Sequence, residues 1–589
     1  MLDDWAGRAH ELEAQGDASM IALLAAVALA SPHRFTITHS HGQSWFVDPS
    51  GHRFLSLGVC VVDQGTQKKE YTEKNPSYAS YLYYPDTHTW ATDVIGRLQR
   101  WGFNTIGAWS DLKDLKTVAT KGLYYMPVLH MGSGAGAPWV DMWDPKVIDL
   151  MDKIARDQIL ALKGDQRVVG YFSDNEMGWW EGALFDWGWK AKPGSGTRTR
   201  LVDTLRSSYH GSWRAFRKDF VAPGSTSFHD LAVKNRAWLR PGGHGMAAVQ
   251  RYIAVLADRY YSLCKASIRR YDPQALYLGD RYISNFYPEV AKQAGKYVDV
   301  LSTNLNADWF DGTFAHFYLP ELERLTHKPI LISEYYVAAK ENRTGNKNDS
   351  SGFPVVQTQA QRAAVFAIQT RFFLEHSYVV GAHWFQYYDE PKNGRGDGEN
   401  YDMGLVDVKN QPYSELTSVS AALPITAVHR NGPLPMPLPG DIPPAPSDPS
   451  KLVTWNRILG YLPPMQQATR GDLYLSWASD ALYGAIYWNE DRFAEAFYRG
   501  GSVAAQDRPR FAFRVNGHRY EAVGGEGFAP IVRGCSLVSS RSGVRNELIF
   551  RIPMKLHGGQ KLRFSGVLDT RGRAYTQRWS HIIQLAGRG

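Results

Sequence analysis

The chain has 589 residues, 44% of them hydrophobic and 21% charged, which suits a folded protein with two or three cores and excludes a disordered chain. Its formal charge of +8 arises from 66 basic residues scattered among 58 acidic ones without a basic run, which argues against nucleic acid as a partner, and no apolar stretch of about 18 residues exists to span a membrane. Three distant cysteines (Cys60, Cys264, Cys535) offer neither a disulfide framework nor a zinc knuckle and read as buried thiols, whereas 19 Trp and 32 Tyr supply many flat faces suited to sugars or bases.

In chain order, the apolar run Ile21–Ala30 follows an acidic segment (Asp3, Asp4, Glu11, Glu13, Asp17) rather than the basic one of a secretory leader. Residues 1–43 are therefore expected to form a helical segment packed on the next domain, and an intracellular location is slightly favoured over export. From residue 44 to 423, β-like apolar runs alternate with helical ones. The expected strands are Phe54–Val59, Asn104–Trp109, Tyr124–Met131, Val168–Ser173, Ala275–Tyr282, Val298–Asn304, Pro329–Tyr335 and Val379–Tyr388. Helical patterns fall at Thr92–Trp101, Val147–Lys163, Met246–Arg270 and Gln357–His376. Eight such repeats predict an α/β fold, a (β/α)8 TIM barrel, with a long insertion over about 177–245. An open doubly wound sheet would call for a glycine-rich phosphate loop after the first strand, and Gly58-Val-Cys-Val-Val-Asp-Gln-Gly65 is not one. Residues 424–450 are proline-rich and read as a linker. Short alternating runs over 451–589 predict a C-terminal all-β sandwich whose tryptophans (Trp455, Trp477, Trp488, Trp579) belong to its core or to a carbohydrate-binding face.

In a barrel of this kind, chemistry sits at the C-terminal ends of the strands. The fourth run leads into Asp174-Asn175-Glu176, and the seventh, Pro329-Ile-Leu-Ile-Ser-Glu-Tyr-Tyr336, delivers Glu334. Two carboxylates facing each other across the barrel mouth are the minimum set for cleaving a glycosidic bond with retention. Aromatic neighbours such as Trp179 or Trp180 would raise the pKa of an acid, and hydrogen bonds would keep a nucleophile ionised. Read blandly, the two glutamates are strand-end acids paired with arginines, but their joint placement at strands four and seven favours chemistry.

This Asn-Glu and Glu arrangement resembles clan A of the glycoside hydrolases. Three longer stretches resemble the β-agarases of glycoside hydrolase family 50: Leu276–Tyr282; Ser333–Tyr336 with Gln357–Ala363; and Val380–Asp407. The resemblance implies Glu176 as acid/base, Glu334 as nucleophile, Asn175 beside the first, and Trp384 as a sugar platform. It also makes His383, Gln386, Arg395, Glu399 and Asn400 candidates for hydroxyl contacts. Strand-end position adds Trp109, His130, Asp280, Arg281, Asn304 and Asn306, and Tyr336 and Trp180 follow the two glutamates. His130 has no partner at metal-ligand spacing, so neither metal nor cofactor is expected. The expected partner is an oligosaccharide or polysaccharide bearing β-linked galactose, with other glycans, transglycosylation and non-catalytic sugar binding as alternatives. Assembly as a homo-oligomer is left open.

Overall fold

Phe35-Thr-Ile-Thr-His-Ser40 alternates β-branched with polar residues. In the computed structural model, Thr36–Ser40 is accordingly a strand (β1), paired antiparallel through a turn at Gly42 with Gln43–Val47 (β2), which pairs in turn with Arg53–Phe54 (β3). The expectation of helix up to residue 43 is thus corrected for these residues. The structure describes residues 34–425, 444–445 and 460–587, apart from positions 41, 119, 121, 284–286, 306, 310, 311, 313, 351, 352, 463, 466–470, 490–493, 525–528, 542–544 and 571–574. The expected helices before residue 34, most of the linker, Asn306 and Trp455 lie outside the described residues.

Each apolar run from residue 54 onward contributes to a parallel strand. These are Ser56–Val59 (β4), Thr105–Ile106 (β5), Tyr124–Tyr125 (β6), Gly170–Tyr171 (β7), Leu276–Tyr277 (β8), Tyr282–Ile283 (β9), Leu301–Asn304 (β10), Ile330–Tyr335 (β11) and Val379–Trp384 (β12). Seven form one sheet in the order β9-β10-β11-β12-β4-β5-β6, and β7 pairs with β8. The regular ladder is interrupted on both sides of that pair. There, bridges Tyr125–Val168 and Val128–Phe172 link β6 to the β7 segment, and Ser302 N donates to Leu278 O at 3.1 Å beside β8. Gly170 permits the β7–β8 approach, since a Cβ there would lie 2.2 Å from Leu276 O.

Helices cover the sheet for local reasons. Thr87–Arg100 (α1) begins where Asp86 accepts from Thr89 N at 2.7 Å, and it buries Trp90, Val94, Ile95 and Leu98. Pro145–Leu162 (α2) has Asp144 as cap and proline in its first turn. The expected insertion folds as Glu181–Lys190 (α3), Gly196–Ser208 (α4), Trp213–Asp219 (α5) and Phe228–Val233 (α6), followed by the long Met246–Tyr271 (α7). Gln359–Leu374 (α8) starts at a Thr358/Gln361 capping box and lies against β12.

Residues 460–584 form two five-stranded antiparallel sheets around a core that includes Trp477, Trp488, Phe511, Phe513, Phe550 and Trp579. This sandwich joins the α/β unit through a shared apolar layer and through buried polar pairs. Tyr487 OH donates to Asp308 at 2.6 Å, Trp309 Nε1 to Glu547 at 3.1 Å, and His316 N to Asp472 at 2.6 Å. The insertion also reaches it, as Phe185 meets Phe497 and Gly242 N donates to Asp507 at 2.9 Å.

Candidate active site

The parallel strands run out at one edge, where five non-glycine residues take the left-handed backbone. They are Val61 (φ 56°), Trp109 (φ 64°), His130 (φ 53°), Glu176 (φ 47°) and Arg281 (φ 51°), one after each of β4 to β8. Each such conformation costs an L-residue roughly 1–2 kcal/mol, and residues of this kind gather where the surroundings fix side chains for function.

Asn304, the last residue of β10, organises this edge. Its amide nitrogen donates to Glu176 Oε1 (2.9 Å), Glu334 Oε2 (3.2 Å) and Asn175 Oδ1 (3.1 Å), while its own oxygen accepts from Ser333 Oγ at 2.8 Å. The Ser333 contact turns the nitrogen toward the acids. Both carboxylate oxygens touch one atom, so by the triangle inequality they lie at most about 6.1 Å apart. Arg281 is wholly buried; its Nε donates to Asn175 Oδ1 at 2.7 Å, and its Nη2 forms an ion pair with Glu334. Its backbone N is held by Ser302 Oγ at 2.9 Å, and its Nη1 faces Cys60 Sγ at 3.8 Å.

Burial raises the pKa of both glutamates, and it lifts Glu334 to about 8. Arg281 opposes the rise at each, whereas the charges of Glu176 and Glu399 raise Glu334 further. Such a pair titrates as a unit. Donor count favours the ionised form at Glu334, which receives a guanidinium and an amide, over Glu176, which receives the amide alone, and opposes the rise that burial imposes on Glu334.

Asp174, beside these groups in sequence, has a structural task. It is buried and accepts from Gly132 N, Ser133 N, Ser133 Oγ and Tyr260 OH, the last at 2.6 Å. Asp280, raised by burial to about 6, points away from the pair and holds Trp179 Nε1 (3.0 Å) and Tyr261 OH (2.9 Å). Its backbone oxygen accepts from Glu176 N at 3.1 Å.

Of the residues expected to meet substrate, Asn175, Asn304, Arg281, Trp109 and His130 gather around the two glutamates. The rings of Trp109 and His130 are 4.5 Å apart, the Arg281 guanidinium is 5.9 Å from the Trp109 centroid, and Trp109 is 37% exposed. Glu399 lies close enough to influence both glutamates and pairs with Arg395. Asn400 instead ties two loops together, donating to Asp349 at 2.8 Å. Tyr336 is buried against Phe353 and Phe385. Gln386 is 1% exposed, and neither end of its amide has a hydrogen-bond partner among the described residues.

Two expectations need correction. Trp384 has no exposed surface; its ring packs edge-on against Tyr335 and Phe366 of α8, and its Nε1 donates to Met403 O at 2.8 Å. It therefore offers no face on which a sugar could stack. His383 projects from the opposite side of β12 into space left by Gly58 and Gly107, bonds Ser56 Oγ at 2.8 Å, and is pushed by burial down to about 3, so it is a neutral packing residue.

The comparisons with known proteins bear on this geometry. No family model matches the chain. It is 26% identical to β-agarase A of Vibrio sp. (strain JT0107) over an alignment of 462 positions that covers 67% of this chain and 45% of that protein. It is 27% identical to β-agarase B of the same strain over an alignment of 361 positions that covers 56% of this chain and 35% of the relative. The chain resembles the β-agarases. It spans less than half the length of these two curated relatives. Three solved structures share the fold at a TM-score of 0.55. They are PfGH50B (20% identity, 68% of this chain and 67% of that one), an exo-β-agarase (20%, 68% and 66%) and the agarase AgWH50C (19%, 68% and 65%). The resemblance to the β-agarases of glycoside hydrolase family 50 noted in the sequence is thereby borne out.

One aromatic group escaped the sequence reading. Trp139, in the loop after β6, lies 6.1 Å from Trp180, and Gly178 sits between the rings, where a Cβ would be 3.2 Å from one and 3.3 Å from the other. An aromatic residue after the glycine-rich Gly132-Ser-Gly-Ala-Gly-Ala-Pro138, just beyond a strand end, was the available signal.

Proposed function

We propose that the chain is a retaining glycoside hydrolase acting on β-linked galactose-containing glycans, with Glu176 as acid/base and Glu334 as nucleophile. The observation that carries this reading is the Asn304 amide, which bonds one oxygen of each carboxylate and so holds those two oxygens within about 6.1 Å of each other, close enough to suit the shorter of the two spacings. Retention needs about 5–5.5 Å, whereas inversion needs about 6.5–9.5 Å to admit a water. The same reading takes the seven-stranded sheet and the β7–β8 pair as one (β/α)8 barrel. The bonds that continue from β6 to the β7 segment and from beside β8 to β10 support closure.

Glu176 protonates the glycosidic oxygen as Glu334 attacks the anomeric carbon, breaking the bond to the leaving sugar and forming a glycosyl-enzyme. Glu176, now ionised, takes a proton from water, which attacks the same carbon and releases Glu334. Arg281 keeps Glu334 ionised before attack, Asn175 and Asn304 are placed to bond sugar hydroxyls near the reacting carbon, and Trp109 supplies a face for stacking. The choice of a galactose-containing polysaccharide or oligosaccharide as substrate rests on likeness to proteins described as β-agarases.

The test is hydrolysis of aryl β-galactosides and of agarose, galactan and glucan oligosaccharides, with the anomer of the first-formed product read by NMR. The expected result is cleavage of a galactose-containing substrate with retained configuration, abolished in Glu176→Gln and Glu334→Gln. An inverted product, or variants as active as the parent, would sink the assignment.

A further inference from the structure

Away from the glutamate pair, α4 of the insertion, α7 and the Trp143 loop enclose a groove of about 690 Å³. Its walls carry Arg200, Arg251 and Arg259, with Trp143 and hydroxyls that include Ser207 and Ser262. The guanidiniums of Arg200 and Arg259 lie 5.9 and 5.8 Å from the Trp143 ring centroid. Arg259 Nε donates to Met142 O at 3.0 Å, which fixes its head in the wall. Two carboxylates also line the groove, yet both are engaged elsewhere: Asp203 with Arg206 at 2.8 Å, and Asp258 with Lys296 at 3.1 Å. Nearby Asp141 caps α4 through Gly196 N and Thr197 N. Among the described residues, no carboxylate forms an ion pair with Arg200, Arg251 or Arg259, so three guanidiniums outnumber the two carboxylates of the lining and keep donors unpaired by carboxylate, with Asp141 acting on Arg259 only through space. Burial, and after it the charge of Arg200, hold the Arg259 pKa below its usual value, while the charge of Asp141 opposes them.

We infer that this groove is an accessory binding site for an acidic saccharide, a sugar chain bearing sulfate ester or carboxylate groups. Guanidinium forks match the planar, multi-oxygen geometry of such anions. The indole and hydroxyls suit the ring to which the anion is attached, and a volume of this size is in the range of small-ligand sites. The site would hold charged segments of a glycan at a place apart from the two glutamates. In this respect it rests on the glycan reading of the protein, although its binding chemistry stands apart from the two glutamates.

The experiment is calorimetric titration of the full chain with oligosaccharides of a sulfated galactan and of polygalacturonate. Neutral agarose oligosaccharides, sodium sulfate and a single-stranded oligonucleotide serve as comparators, and each titration is repeated with the exposed pair Arg200→Ala/Arg251→Ala and at raised salt. We expect an acidic oligosaccharide to bind at least about tenfold more weakly in the variant and more weakly in salt, with neutral-substrate turnover unchanged. Tighter binding of the sulfated or of the uronate chain identifies the anion. Equal affinity for neutral chains, for free sulfate or for the oligonucleotide, or a variant that binds like the parent, overturns the inference. Binding without any glycosidase activity would keep this site and remove the proposed reaction, and hydrolysis without acidic-chain binding would do the reverse.

Discussion

Replacing Asn304 by alanine removes one nitrogen that serves three acceptors. Hydrogen bonds to charged groups contribute roughly 1.5–3 kcal/mol each, and the strongest demand falls on Glu334, which Asn304 and Arg281 hold together and which the proposed mechanism makes the nucleophile. Taking about 3 kcal/mol for the combined loss at the two carboxylates predicts a fall in kcat of roughly 150-fold. Ser333 Oγ loses its acceptor as well, which should cost about 1 kcal/mol of stability. The assay is turnover of two substrates: an aryl glycoside with a good leaving group, which hardly needs an acid, and an oligosaccharide, which does. If Asn304 supports both glutamates, both rates fall and the oligosaccharide falls further. Thermal unfolding of the same preparation separates the catalytic loss from the structural one. A folded variant within about threefold of the parent on both substrates would refute the idea that this amide organises the site.

Three further outcomes follow from the geometry. The Arg281 charge lowers the Glu334 pKa, so Arg281→Gln should raise it and move the acid limb of the kcat/KM profile to higher pH; a limb that stays put or moves down contradicts the ion pair's role. Trp384→Phe should lower Tm, through the lost bond to Met403 O and the reduced packing, while leaving KM nearly unchanged; a large rise in KM at normal Tm would restore the ring to the sugar pocket. Asp174→Asn puts an NH2 among four donors and should reduce stability by about 2–4 kcal/mol in urea unfolding, whereas an unchanged midpoint would mean that the carboxylate is not needed to anchor the Gly132–Ser133 turn.

The glutamates were legible because each stands where an apolar run breaks abruptly into polar residues, as Val168–Ser173 does at Asp174. Trp384 and His383 were not, and parity is the reason. Adjacent residues of a strand face opposite sides, and Val379–Trp384 is buried along its whole length, its one polar residue His383 included, so no alternation of apolar and polar residues marks which side meets the helix. Trp139 is legible only once the glycine-rich loop has been placed beside the Glu176 segment, which is a tertiary fact. The opening hairpin was hidden for a different cause: the acidic and apolar residues before it drew the reading toward helix, although Thr36–Ser40 carries its own alternating pattern. Sequence also described Arg281 only as a strand-end base, since its partners Cys60, Asn175 and Glu334 come from three other segments.

The strained edge bears on any attempt to make the protein withstand heat. At Trp109, His130, Glu176 and Arg281, glycine would relax the backbone, yet each exchange would erase a side chain that converges on the glutamate pair. Selection for thermal endurance alone would thus drift toward glycine at the rim and silence it. Durable variants have to be sought elsewhere in the fold, with these four positions held fixed.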